Sequence, residues 1–103
     1  MPWFRVEHPT SRETYAIGGH DHALGFFCET FREGREKPLK SLDVFTHGKP
    51  VGIQDCFDFL ISKGFFTVDQ LQDILVCLQD GTKVPKRLLR IEKVVTEFKN
   101  CGK

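Results

Sequence analysis

The sequence has little that would tie it to a membrane or to a catalytic chemistry. No stretch approaches the roughly 18 to 20 apolar residues that a transmembrane helix requires. The first five residues lack the basic and then apolar segments of a signal peptide, so we expect a cytoplasmic protein with no membrane association. The chain also lacks a nucleophile elbow, a phosphate-binding glycine loop and paired catalytic carboxylates. These absences favour a non-catalytic protein and leave an enzyme as the weaker alternative.

Cysteine is present but shows no metal-binding or redox spacing. Cys28, Cys56, Cys77 and Cys101 are far apart in the sequence, and no Cys-x-x-Cys occurs. In a cytoplasmic chain we expect reduced thiols, with Cys56 and Cys77 serving as small core residues. A nucleophilic Cys28 or Cys56 beside a histidine is disfavoured, since neither has a fixed basic neighbour or a clear helix N-terminus to activate it.

Composition predicts one small globular domain over residues 1–103. Hydrophobic residues make up 40% and charged residues 28% of the chain, which is typical of globular proteins. The length allows a single modest core. Ten phenylalanines against one tryptophan and one tyrosine predict a core rich in aromatic rings.

The order of local patterns predicts an α+β fold. Strand signals occupy about residues 3–45 and helical signals follow. The predicted strands are Trp3 to Glu7, Tyr15 to Ile17 (ended by Gly18 and Gly19), Ala23 to about Arg32, and residues 39–45. The predicted helices cover about residues 52–63, 67–79 and 85–99. Because strands precede helices, we expect an antiparallel sheet of three or four strands with three C-terminal helices on one face.

The second predicted helix carries the strongest local signals. Thr67 and Gln70 have the spacing of a capping box, and Phe66 and Leu71 that of a hydrophobic staple. Gly81 is suited to the left-handed conformation that ends many helices. We therefore expect a helix pair with a tight corner at residues 63–66.

Residue alternation in the third strand predicts which side chains face the helices. Leu24 and Phe26 are expected against the helices, while Phe27 points to the opposite face of the sheet, together with Trp3. The helical residues expected above them are Phe57, Leu60, Leu71 and Leu75. A small domain has few elements left to cover Phe27 and Trp3, so we expect loops, a partner protein or a second copy there.

A pair of histidines raises the possibility of a metal site. His20 and His22 would project to the same side of an extended segment, as two zinc ligands do. Candidates for a third ligand are His8, Cys28 and His47, all distant in sequence. Because zinc sites need three or four ligands, the sequence favours a polar turn in which Asp21 caps the backbone.

Charge is segregated along the second half of the chain. Residues 54–80 contain five aspartates and one lysine, whereas residues 83–103 contain seven basic and two acidic residues. The basic face of the last helix is formed by Lys86, Arg87, Arg90 and Lys93. Such a face suits phosphates or an acidic partner, but no aromatic residue is interleaved for base stacking. The pattern favours a solvated face over a nucleic-acid site.

Together these patterns predict a small binding domain whose most plausible partner is a protein. The expected contact residues are Trp3 and Phe27 on the sheet, and Lys86, Arg87, Arg90 and Lys93 on the last helix. The alternatives are a homodimer, a nucleic-acid-binding protein that uses the basic helix, and a metal-binding protein or metal-dependent enzyme that holds zinc at His20 and His22.

Overall fold

The sheet is an antiparallel meander in which every strand pairs with its neighbour in sequence. The computed structural model describes residues 3–101, and its strand order is β1-β2-β3-β4. The strands are β1 (Trp3–Glu7), β2 (Thr14–Asp21), β3 (Gly25–Arg32) and β4 (Lys40–Leu42). The helices are α1 (Val44–His47), α2 (Ile53–Ser62), α3 (Val68–Asp80) and α4 (Leu89–Cys101), with a 3-10 turn at Lys86–Leu88. The predicted α+β class is confirmed.

The helices pack on one face of this sheet. α4 lies on β1 and β2, α2 lies on β3, and α3 packs against α4. The sheet residues buried beneath them are Phe4, Val6, Ala16, Cys28 and Thr30. Phe98 of α4 lies at the centre of an aromatic cluster, with its ring centroid 4.9 Å from Phe4, 5.6 Å from Phe57 and 6.2 Å from Phe26. Phenylalanine rings therefore lie in the core, as the composition predicted.

β2 continues through Gly18 and Gly19, where the sequence predicted that it would end. Gly18 pairs with Phe4 on one side and Cys28 on the other. A Cβ atom at Gly18 would lie only 2.7 Å from the Phe4 Cε1 atom. The glycine makes room for a ring that crosses from the neighbouring strand, so it serves close packing and not a turn.

The expectation that Leu24 faces the helices is wrong. Asp21 ends β2 and accepts hydrogen bonds from the amides of Ala23 (2.7 Å) and Leu24 (3.1 Å), so residues 22–24 form a turn. β3 then starts at Gly25, whose φ of +81° suits a residue without a side chain. Leu24 lies beside Phe27 on the side of the sheet away from the helices.

The expectation that Leu75 reaches the sheet is also wrong. Leu75 is 36% exposed, whereas Leu71 and Ile74 are the buried residues of α3. Because α3 packs chiefly against α4, the side of α3 that is buried carries Leu71 and Ile74 and not Leu75. Phe57, Leu60 and Leu71 are buried in the core, as expected, and Phe26 is partly buried against it.

The predicted fourth strand is divided between a strand and a short helix. β4 contains only Lys40–Leu42, and α1 follows at Val44–His47. Asp43 caps α1 by accepting from the amides of Phe45 and Thr46, both at 2.9 Å. Gly48 ends the helix in the left-handed conformation, with φ of 76°. The alternation of apolar residues over 39–45 by itself resembles a strand. Asp43 interrupts this strand because it caps a helix.

The predicted corner between α2 and α3 is confirmed. Thr67 accepts from the Gln70 amide at 3.1 Å, and the Gln70 side chain accepts from the Thr67 amide at 2.9 Å. Phe66 and Leu71 are both buried, and Gly81 has the left-handed φ of 71°. Within residues 3–101, no helix combines the length and the apolar character that crossing a bilayer requires.

Candidate functional site

One face of the sheet has no helix upon it, and we call it the outer face. The register assigns its members, since paired residues in neighbouring antiparallel strands point to the same side. They are Trp3, Arg5, Glu7, Tyr15, Ile17, Phe27, Glu29, Phe31 and Ser41. Among the described residues, the helices lie on the other side, so this face remains partly open to solvent.

Trp3 and Phe27 lie at one end of the outer face. Trp3 pairs with Gly19 from β1, and Phe27 pairs with Gly19 from β3. Across the strands, the only residue between Trp3 and Phe27 is therefore one without a side chain. Trp3 is 54% exposed, and Phe27 is partly exposed. The prediction that both residues point away from the helices agrees with this register. The two rings form an apolar surface that the described part of the chain leaves open.

At the other end of the outer face, the charged and aromatic side chains contact one another within the chain. The Arg5 guanidinium lies 3.8 Å from the centre of the Tyr15 ring, and its Nε donates to Glu7 at 2.8 Å. A second nitrogen of Arg5 donates to Glu33, and these hydrogen bonds raise the pKa of Arg5. Tyr15 stacks on Phe31 with ring centroids 5.4 Å apart. This end therefore offers a partner no unpaired charge.

Carboxylates surround Phe27. A cavity of about 130 Å³ is lined by Asp21, Leu24, Phe27, Glu29 and Asp43. Asp21 and Asp43 accept from backbone amides, and Glu29 accepts from the Ser41 hydroxyl at 3.0 Å. The amides of Ala23 and Leu24 lower the pKa of Asp21, which keeps it anionic. Within residues 3–101, no lysine or arginine forms an ion pair with these three groups.

We call Trp3, Leu24 and Phe27, with Asp21, Glu29 and Asp43, the acidic aromatic patch. Strand alternation in the sequence predicted its two large rings but not its carboxylates. The sequence does not mark Asp21 and Asp43 as binding residues, since both are ordinary capping residues. The pairing of β2 with β3, which places Asp21 opposite Gly25, and of β3 with β4, which places Ser41 opposite Glu29, brings the three acids together. That long-range register is not visible in local patterns.

His20 and His22 lie near each other without a third ligand. Their ring centroids are 6.4 Å apart, and His20 also makes an edge contact with Phe26 at 4.9 Å. Among the described residues, no three histidine, cysteine, aspartate or glutamate side chains converge as a metal site would require. Asp21 between them caps the turn, which is the role that the sequence favoured.

The four predicted basic contact residues do not share one environment. Lys86 and Arg87 lie in the 3-10 turn before α4, and both are exposed, as is Lys93. Arg90 is partly buried and donates to the Phe65 carbonyl oxygen at 2.8 Å, and burial lowers its pKa. Arg90 therefore holds α4 against the corner between α2 and α3, and it is not part of a free basic face.

The buried cysteines are poor candidates for nucleophilic chemistry. Cys28 and Cys56 are fully buried, and Cys77 is partly buried, all three as free thiols. Burial raises the pKa of Cys56 from 9.0 to about 12, and it raises that of Cys28 further. Because the thiolate is the reactive form, neutral and enclosed thiols have a packing role here.

Comparison with known proteins gives no relative for this chain: no family model, no curated protein and no solved structure matches it.

Proposed function

We propose that this chain is a protein-binding domain that uses the acidic aromatic patch to hold a segment of another protein. The segment would present an apolar side chain next to a lysine or arginine. The observation that carries the proposal is the exposure of Trp3 and the partial exposure of Phe27 on the one described sheet face that lacks helices. Contact surfaces are enriched in aromatic residues, and tryptophan in particular often dominates binding energy.

Charge supports a basic partner. Asp21, Glu29 and Asp43 lie around Phe27 and receive only neutral donors from the described residues. A lysine or arginine placed there would form charge-assisted hydrogen bonds, which are stronger than neutral ones. Apolar contact would supply most of the affinity, while the charges would select the partner and speed its association.

The same charges argue against a second copy as the occupant. In a twofold-symmetric dimer each chain presents the same patch to the other. Carboxylates grouped around Phe27 in one chain would then approach the equivalent group of its partner. Like charges brought together at an interface are unfavourable, so a different, basic protein is the better complement.

Nucleic acid is less well supported as a partner. A phosphate-binding face on α4 needs several free cations, but Arg90 donates to the Phe65 carbonyl. The acidic aromatic patch would repel a phosphate backbone. We place the activity in the cytoplasm, an expectation in keeping with the free thiols of Cys28, Cys56 and Cys77.

The test begins with selection of linear peptides from a random display library on the intact chain. We expect the selected sequences to combine an aromatic or aliphatic residue with a nearby lysine or arginine. Each peptide is then titrated while the fluorescence of Trp3, the single tryptophan, is recorded. Binding at the patch should shift the emission to shorter wavelength.

Two variants and one matched control make the test specific. Phe27→Ser and Glu29→Lys should each weaken binding about tenfold or more, as expected for a contact worth over 1.4 kcal/mol. Asp73→Lys makes the same kind of charge reversal at an exposed position of α3 and should leave binding unchanged. Equal affinity for all four proteins would reject the patch. If the wild-type chain instead dimerises and Trp3 becomes buried in the dimer, the proposal that a different protein binds the patch is rejected.

A further inference from the structure

A second cleft lies on the helix side of the sheet, at the end opposite the acidic aromatic patch. It has a volume of about 250 Å³ and lies between the β1–β2 turn, the start of β4 and the corner after α2. The residues lining it are His8, Ser11, Thr14, Thr30, Leu39, Lys40, Lys63 and Phe65. We call this the polar cleft. None of the described residues that line it carries a carboxylate.

The lining is chemically unlike the core around it. Thr30 is 3% exposed and is the single polar residue that the described core buries, yet its side chain borders the cleft. Ser11 and Thr14 lie with their hydroxyl oxygens 2.9 Å apart, so one hydroxyl donates to the other and a second proton stays free. Hydroxyl donors of this kind suit an anion.

Two lysines line the polar cleft, and one arginine points to the same side of the sheet. Lys40 pairs with Thr30 in the register, so both point to the helix side of the sheet. Arg32 points to the same side, opposite Thr14. Lys63 lines the cleft from the corner, and its ammonium lies 5.7 Å from the Phe59 ring, a weak contact that leaves it able to turn toward a ligand.

His8 fixes the shape of the polar cleft. Its Nδ1 accepts from the amides of Ser11 at 2.9 Å and Thr10 at 3.2 Å, so the proton lies on Nε2. Nε2 donates to the Lys63 carbonyl oxygen at 3.0 Å, and the ring packs edge-on against Phe65 at 4.9 Å. These contacts join the β1–β2 turn to the corner, so the two walls are held in place before any ligand arrives.

We infer that the polar cleft binds a small phosphomonoester. Lysines and hydroxyls, with no carboxylate among the described lining residues, provide the donors that a phosphate dianion needs. Leu39, which is 40% exposed, provides an apolar wall for the esterified group, with Phe65 beneath. The volume lies just below the range of about 300 to 1,000 Å³ common for ligand sites, which limits the ligand to a small one.

The site is tested on the full chain by amide NMR titration with phenyl phosphate. We expect saturable shifts at Ser11, Thr14, Thr30 and Lys40, and weaker binding as salt rises. Phenol and inorganic phosphate are titrated in parallel at matched ionic strength. Equal affinity for inorganic phosphate would overturn the assignment to an ester, and equal affinity for phenol would overturn the assignment to an anion.

Charge-removing variants separate this cleft from general surface charge. Lys40→Met and Lys63→Met should each weaken phenyl phosphate binding about fivefold, the effect of one charge-assisted hydrogen bond in a partly exposed site. Lys86→Met, which removes an exposed lysine elsewhere, should change nothing. The inference fails if the three variants bind equally or if the shifts do not saturate. Because this cleft and the acidic aromatic patch lie on opposite faces of the sheet, either assignment can fail alone.

Discussion

Replacing Gly18 by alanine tests the close packing between β1 and β2. The new Cβ would lie 2.7 and 2.8 Å from two carbons of the Phe4 ring and 3.1 Å from the Phe27 carbonyl oxygen. Carbon atoms normally pack about 3.5 to 4.0 Å apart, so the ring must move by roughly 1 Å. Phe4 is 2% exposed and is held against Phe98, so it has little room.

The magnitude follows from two opposing effects. Overpacking a core costs about 1 to 3 kcal/mol. Exchanging glycine for alanine returns about 0.4 to 1 kcal/mol by restricting the unfolded chain. Because the Phe4 ring is enclosed, the overpacking cost should lie in the upper half of its range. We therefore expect Gly18→Ala to lower the free energy of unfolding by about 1 to 2.5 kcal/mol, and the melting temperature by about 5 to 20 °C.

Urea unfolding followed by circular dichroism measures this cost, and a double variant shows its origin. Phe4→Leu alone should destabilise by about 1 to 2 kcal/mol because it empties part of the core. In the double variant the smaller side chain makes room for the alanine, so the combined cost should fall at least about 1 kcal/mol below the sum. Additive costs, or a Gly18→Ala variant as stable as the wild type, would refute the proposed contact.

Four further predictions concern the helices and the thiols. Arg90→Met should lower the free energy of unfolding by about 1 kcal/mol, since it leaves a carbonyl oxygen without its donor, whereas Lys86→Met should not; denaturant titration distinguishes them. Thr67→Ala should cost about 1 kcal/mol in the same assay by removing a helix cap. Cys28 and Cys56 should resist a thiol reagent at pH 8 unless the protein is unfolded; labelling of both in the native state would contradict their burial. Because folding raises the pKa of both thiols, ionisation of these thiols does not lower the stability of the protein below about pH 9. Between about pH 9 and pH 12 the free energy of unfolding should fall by up to roughly 1.4 kcal/mol per pH unit for each thiol.

Features encoded within a few residues were predictable from the sequence. The capping box at Thr67 and Gln70 and the left-handed Gly81 both occur where the pattern placed them. The helices also occur close to their predicted spans, because amphipathic periodicity and capping act within one or two turns. The same reasoning failed where one residue type serves two purposes. Gly18 resembles a strand terminator but accommodates the Phe4 ring.

Features set by long-range packing were not predictable. The choice of which side of α3 is buried, which leaves Leu75 exposed, depends on its contact with α4. Arg90 belongs by sequence to a basic run, yet its guanidinium reaches a carbonyl oxygen 25 positions earlier, at Phe65. The outer face itself was foreseen through Trp3 and Phe27, since strand alternation is local. Its acidic surroundings were not, since they depend on how three strands align.

The most direct test of the proposed function is the emission spectrum of Trp3 during titration with a selected peptide that pairs an apolar residue with a lysine. Our account predicts a saturable shift to shorter wavelength in the wild-type chain, and the same shift in Glu29→Lys only at about tenfold or more higher peptide concentration. If calorimetry shows that the peptide binds while the emission of Trp3 stays unchanged, the partner binds elsewhere and the acidic aromatic patch is not the contact surface.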